Sequence, residues 1–167
     1  MIVVDIETTG LDPKKHQMIS IGAVDFETGE TFYGECRIYK NDEISPQALV
    51  VNGFTEEQVR DKNKHTPKQL FTKFVYWSAS RSKMLAGCVV GFDISFLKSI
   101  QEQAYPTAEF PFYYRSVDLH SVAYGKFGKS MALKTICEEL GVEPEPDIHN
   151  ALTGAMKAYE CFKILLQ

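Results

Sequence analysis

Residues 1–13 read MIVVDIETTGLDP, and this stretch decides the fold. Ile2 to Glu7 is apolar for most of its length, the pattern of a strand buried on both faces. It ends in two carboxylates, Asp5 and Glu7, and then at once in Thr8-Thr9-Gly10. Alternate residues of a strand share a face, so Asp5 and Glu7 point the same way and Ile2, Val4 and Ile6 point the other. Two acids on one face of a central strand repel one another and are partly desolvated, so a positive group should compensate them. Hard cations such as Mg²⁺ or Mn²⁺ take oxygen ligands of this kind.

Outward from that strand, QMISIGAVDF at 17–26 alternates and predicts a second strand. Thr28-Gly29-Glu30 forms a tight turn into a third strand over 31–39, which makes a hairpin. Thr55-Glu56-Glu57-Gln58 and Thr66-Pro67-Lys68-Gln69 are capping boxes, the second with proline at the first helical position. The stripe Leu70, Phe71, Phe74 and Trp77 carries that second helix to about Ser80. MLAGCVVG at 84–91 predicts a buried strand, and Asp93 leads a helix through Phe96, Leu97 and Ile100. A short strand is expected over 113–119. A helix capped by Ser130 runs over Leu133, Ile136 and Leu140 to Gly141. A final helix over 150–166 turns Leu152, Ala155, Tyr159, Phe162 and Leu166 inward.

Hairpin strands followed by alternating strands and helices give an α/β layer fold with a mixed central sheet of about five strands. In such folds ligands gather at the carboxyl ends of the strands, where Asp5, Glu7 and Asp93 fall. The 167 residues suit one domain, and 44% hydrophobic with 24% charged residues is the balance of a soluble globular chain. The net charge of -4 excludes a broad basic surface for wrapping duplex DNA. It does not exclude one strand end held by metal and backbone amides. None of the four cysteines lies in a C-x-x-C pair. That usage, with no signal peptide and no apolar run of membrane-spanning length, leads us to expect a cytoplasmic protein with no membrane partner.

MIVVDIETTGLDP resembles the first motif of the DnaQ-like (DEDDh) 3'-5' exonucleases, the family of the proofreading subunit of DNA polymerase III and of RNase T. GFDISFL at 91–97 is similar to the second motif, H-N-x-x-F-D-x-x-F-L. IHNALTGA at 148–155 is similar to the third, H-x-A-x-x-D-A. VNGFTEEQV at 51–59, VDLHSVA and LKTICEELGV match the segments between them, so the resemblance covers nearly the whole chain in order. It implies a ribonuclease H-like three-layer fold and metal-dependent hydrolysis of single-stranded DNA or RNA from the 3' end, with a replication or repair polymerase among possible partners. It makes Asp5, Glu7 and Asp93 ligands of a two-metal Mg²⁺ or Mn²⁺ site and His149 the general base. It places Thr8, Thr9 and Leu11 at the terminal nucleotide. Phe96 either packs beside that nucleotide or belongs to the core, which its helical spacing from Phe92 and Ile100 equally predicts.

The pattern departs from the family at two places. Cys88-Val89 stands where the second motif has His-Asn, neither of them a metal ligand. Gly154 stands where the third motif has its aspartate, the fourth carboxylate and a direct metal ligand. A helix-interior glycine costs about 1 kcal/mol relative to alanine, so helix propensity does not explain the choice. Asp147 lies in the preceding loop and Glu160 nearly two turns on; no nearby acid is an obvious replacement. Three readings follow: an exonuclease weakened at one ligand, with water or Asp147 in the gap; a residue changed to trap substrate; or a domain of this fold that binds a strand end or a partner without cutting. Two basic clusters are candidate strand contacts, one of Lys62, Lys64, His65 and Lys68, the other Lys126-Phe127-Gly128-Lys129 with an aromatic that could stack on a base.

Overall fold

The computed structural model describes residues 1–167. Five strands form one sheet: β1 (Ile2–Thr8), β2 (Met18–Asp25), β3 (Thr31–Glu35), β4 (Leu85–Gly87) and β5 (Ser116–Asp118), in the order β3-β2-β1-β4-β5. β1 pairs antiparallel with β2, which pairs antiparallel with β3, while β1–β4 and β4–β5 are parallel. The sheet is therefore mixed as expected, and the acid-bearing strand is its centre.

Alternation along β1 sends its side chains into two cores. Ile2, Val4 and Ile6 join Leu70, Phe71 and Phe74 of α3 (Pro67–Trp77) and Phe96, Leu97 and Ile100 of α4 (Val90–Ala104). Met1 and Val3 join Leu119 and Ala123 of α5 (Leu119–Phe127), Ile136 and Cys137 of α6 (Leu133–Leu140), and Ala158, Cys161 and Phe162 of α7 (Ala151–Leu165). That gives three layers, helix on sheet on helix. Two short helices, α1 (Pro46–Asn52) and α2 (Glu56–Arg60), cover a small third cluster around Ile19, Ile38 and Val59. No helix is long and apolar enough to cross a membrane.

Both capping boxes form, with Thr55 accepting from the Gln58 amide and Thr66 from the Gln69 amide. Four expectations need correction. The third strand ends at Glu35 rather than Tyr39, although Cys36 makes one further bridge with His65. The apolar run 84–91 is strand only to Gly87. At Val89 the chain turns through φ 59° and ψ 41°, and Val90 and Gly91 open α4. A left-handed backbone is unusual for a β-branched residue. It is the conformation asparagine tolerates, and asparagine is what the family pattern has there. Ser130 caps nothing; α6 starts after Ala132 and α5, with no strong apolar stripe, precedes it. On α7 the buried positions are Ala151, Gly154, Ala155, Ala158, Cys161 and Phe162, while Leu166 is exposed.

The small inner face of α7 has a direct cause. A Cβ on Gly22 of β2 would lie 2.3 Å from the carbonyl carbon and oxygen of Ala151 and from the amide nitrogen of Leu152. The first turn of α7 therefore rests on bare sheet backbone. Asn150 caps it, its Oδ1 accepting from the Leu152 amide at 3.0 Å and the Thr153 amide at 3.3 Å.

Candidate active site

Asp5 and Glu7 emerge from β1 on the α7 side of the sheet, opposite Ile2, Val4 and Ile6. Asp93 approaches from the first turn of α4. It is 2% exposed, and its Oδ1 accepts from the Ile6 amide at 3.0 Å. That bond ties α4 to the end of β1. The free amide of Val90 at the start of α4 donates to Asp118 Oδ2 at 3.2 Å, in place of a side-chain cap of the helix's own.

His149 lies just before α7. Its amide donates to Val51 O at 3.0 Å, which fastens it to α1. The VNGF segment has a second anchor: buried Asn52 donates from Nδ2 to Thr8 O at 3.1 Å. Beside Glu7 a cleft of about 310 Å³ is lined by Thr8, Gly10, Leu11, Val51, Asn52 and Phe92 among others. A larger, open depression around Phe32, Tyr76, Trp77 and Arg81 has no acid or histidine in its lining.

Leu11 is 83% exposed, an apolar side chain standing at the rim of the cleft. Thr8 lines the cleft, with its hydroxyl bonded to Gly10 O. Thr9 departs from expectation. It is fully buried, its amide donates to Gln17 O and its hydroxyl to Glu43 O, so it braces the strand end from within. Phe96 is a core residue at 1% exposure; Phe92, its ring 5.0 Å away, is the aromatic that reaches the cleft. Of the basic residues, Lys64 pairs with Glu35, Lys129 with Glu139, and Lys68 sits over the Tyr105 ring. Phe127 packs on the second core cluster instead of standing free to stack.

Gly154 packs directly against the Asp5 carboxylate. A Cβ there would stand 2.5 Å from Asp5 Oδ2 and 3.4 Å from Glu145 Oε2. Glu145 is the acid that sequence reasoning missed. It comes from the loop before α7, is 14% exposed, and its Oε1 is 3.6 Å from His149 Nδ1. The available signal was its place four residues before His149, in a Glu-Pro-Glu-Pro run. Asp147 is exposed, and Glu160 pairs with Lys157 at 3.2 Å.

The electrostatics are those of acids gathered without a counter-charge. No ion pair of the protein includes Asp5, Glu7 or Asp93. Burial raises the Asp5 carboxyl well above its ordinary range, and Asp93, Glu7 and Glu145 raise it further. Burial also raises Asp93, against the hydrogen bonds from its own amide and that of Ile6. Glu7 is pushed up to about 7, by burial first and by Glu145 second. Glu145 is raised by burial and lowered again by His149.

An oxygen-only donor set of uncompensated, desolvated carboxylates fits a hard divalent cation. A Cβ at Gly154 would stand 2.5 Å from Asp5 Oδ2, so the bare backbone there leaves that donor its place. As they stand, no three of the acidic, histidine or cysteine side chains converge as an ion's ligands. Like charges with no cation among them are expected to stand apart.

A pH dependence follows for the cation-free protein. Glu7 holds its proton to about 7 when folded and to about 4.5 when free, so between these values the folded state binds more protons and stability falls as pH rises. The loss attributable to Glu7 is roughly 3 kcal/mol. Urea unfolding in EDTA at pH 5 and pH 8 should give the lower midpoint at pH 8.

An exonuclease family model, RNase_T, matches residues 2–162. The chain belongs to this exonuclease family. Among exonuclease relatives, the chain is 30% identical to the 3'-5' DNA exonuclease Cap18 of Escherichia coli, over 98% of its own length and 90% of the relative's. It is 29% identical to the DNA polymerase III subunit epsilon of Buchnera aphidicola subsp. Baizongia pistaciae, over 92% of its length and 65% of the subunit's. It spans only 11% of the PolC-type DNA polymerase III of Thermotoga petrophila, at 27% identity. The exonuclease fold itself is shared with the nuclease domain of 3'hExo, a DEDDh family member solved with rAMP, at a TM-score of 0.76 and 22% identity over 99% of this chain and 90% of that one. It is also shared with E. coli ExoI in a single-stranded DNA complex, at a TM-score of 0.81 and 17% identity over 98% and 39%.

Proposed function

We propose that this chain is a divalent-metal-dependent 3'-5' exonuclease that removes nucleoside monophosphates from single-stranded DNA or RNA ends. The observation that carries this reading is the set of carboxylates Asp5, Glu7 and Asp93, the first half-buried and the other two buried, without a basic partner, at the carboxyl end of the central strand and beside a cleft. Asp5, Glu7 and Asp93 would hold Mg²⁺ or Mn²⁺. Such a cation supplies Lewis-acid polarisation of the phosphodiester and neutralises charge at the leaving oxygen.

The chain's own residues account for the remaining tasks. His149, 46% exposed, turns its Nδ1 toward Glu145, which leaves Nε2 to take the proton of the attacking water. Water oxygen joins phosphorus as the bond to the 3' oxygen of the shortened strand breaks. Leu11 and Phe92 line the cleft beside Glu7 and offer apolar surface to the terminal base. Thr9 and Asn52 stiffen the strand end, so that Glu7 and Thr8 keep their positions.

The test is incubation of the full chain with 5'-labelled single-stranded DNA and RNA in Mn²⁺ or Mg²⁺. A ladder shortening one nucleotide at a time from the 3' end, abolished by EDTA, is the expected result. Gly154 supports a second reading, a domain of this fold that binds a strand end or a polymerase partner without cutting. Retained strand binding with no shortening in either metal would establish that reading and end the first.

A further inference from the structure

We propose that Glu145 supplies the carboxylate that position 154 lacks, so that the fourth oxygen ligand of the cation site comes from the loop before α7 instead of from the helix. This rests on the metal-dependent reading above and names a ligand that the family's motifs do not contain.

The geometry is specific. Glu145 Oε2 stands 3.4 Å from the point where a side chain at 154 would begin, and that point is 2.5 Å from Asp5 Oδ2. A carboxylate oxygen is thus already beside the place from which an aspartate would project. A Cβ at 154 would crowd Asp5 and touch Glu145 at ordinary contact distance, so the bare glycine leaves both carboxylates in place beside it. Glu145 is also committed to this position. At 14% exposure it is turned in from solvent, and the one ion pair it makes, with His149, uses the other oxygen, Oε1. Pro144 and Pro146 on either side fix their own φ and hold the neighbouring residues extended, so the loop presents Glu145 with little freedom to lose on binding. The two acids that sequence alone offered do not compete, since Asp147 is exposed and Glu160 is held by Lys157.

The experiment reads Mn²⁺ uptake by the full chain with calorimetry and with the electron paramagnetic resonance of free Mn²⁺, independently of turnover. Glu145→Gln keeps the shape and removes the charge. It should raise the Mn²⁺ dissociation constant roughly tenfold or more. His149→Ala should leave that constant within about threefold, because the histidine takes no part in holding the cation. Equal uptake by wild type and Glu145→Gln overturns the proposal and leaves the exonuclease reading standing. An equal loss in His149→Ala overturns it too, since Glu145 would then act only through the histidine. No uptake by wild type, with or without a nucleoside monophosphate, ends both. A thermal melt in EDTA accompanies each variant. If Glu145→Gln does not fold, Glu145→Asp takes its place: its shorter arm keeps the charge and should weaken Mn²⁺ binding, and unchanged binding by it counts against the proposal.

Discussion

Replacing Glu7 with glutamine is expected to lower the rate of strand shortening on the order of a thousandfold or more, while making the cation-free protein more stable at pH 8. The two effects have opposite signs for one reason. Glu7 is 8% exposed, and its carboxyl is raised to about 7 by burial and by Glu145, so its charge opposes folding. Glutamine removes that charge. The gain is the cost of holding a desolvated anion, less the cost of burying an amide, and we expect roughly 1–2 kcal/mol. The same change deletes a charged oxygen that, in the proposed function, would meet the cation. Loss of one preorganised electrostatic group of this kind costs about 10²–10³ in rate, and a direct ligand should cost at least as much. Rates on a labelled oligonucleotide in saturating Mn²⁺, set beside urea midpoints in EDTA, give both numbers. A variant that lost activity and stability together would show that Glu7 supports the fold instead of opposing it.

The second large effect concerns a residue with no chemistry. Gly22→Ala should lower stability by roughly 3 kcal/mol or more, beyond the usual range for overpacking because backbone lies against backbone. The added Cβ would sit 2.3 Å from Ala151 and Leu152 main-chain atoms, and no side chain there can swing away. α7 would have to lift about 1 Å to reach ordinary contact. That lift would loosen Ala155, Ala158 and Phe162 from the core and carry His149 and Gly154 away from Asp5. For a chain of this size the melting temperature should fall on the order of 10 °C. Gly125→Ala is the control. A Cβ there meets nothing within 4 Å, and in the middle of α5 it should stabilise by up to about 1 kcal/mol. Melts followed by circular dichroism separate the two.

What could be read from the sequence is what depends on near neighbours. The capping boxes at Thr55 and Thr66 are four-residue devices, and both form. The central strand announces itself because it is apolar on both faces, and its acids fall on the face that meets α7. The failures are tertiary. An apolar run such as MLAGCVVGF is equally strand or helix, and the division was made by the left-handed turn at Val89. The inner face of α7 looked like its large residues, Leu152 and Tyr159. A helix seated on bare backbone at Gly22 takes small residues inward and sends larger ones to its flanks. The carboxylate pair and Asp93 were legible as candidates because they end strands or open helices. Glu145 was not, since its place four residues before His149 does not tell how far the loop will reach toward Gly154. Thr9 and Phe96 fell to the interior because a residue next to a site in sequence can point away from it.

One feature of the sheet bears on how the protein comes to exist during synthesis. β1, the first strand, lies between β2 and β4 and is covered on one face by α7, the last helix. Met1 and Val3 share one core cluster with Phe162, far away in the sequence, and such distant closures are slow. A ribosome-bound fragment lacking α7 lacks Ala158, Cys161 and Phe162 of the second core cluster, and the acids of β1 have no opposite wall. The acid-bearing face of β1 is therefore closed late, when α7 has emerged and docked.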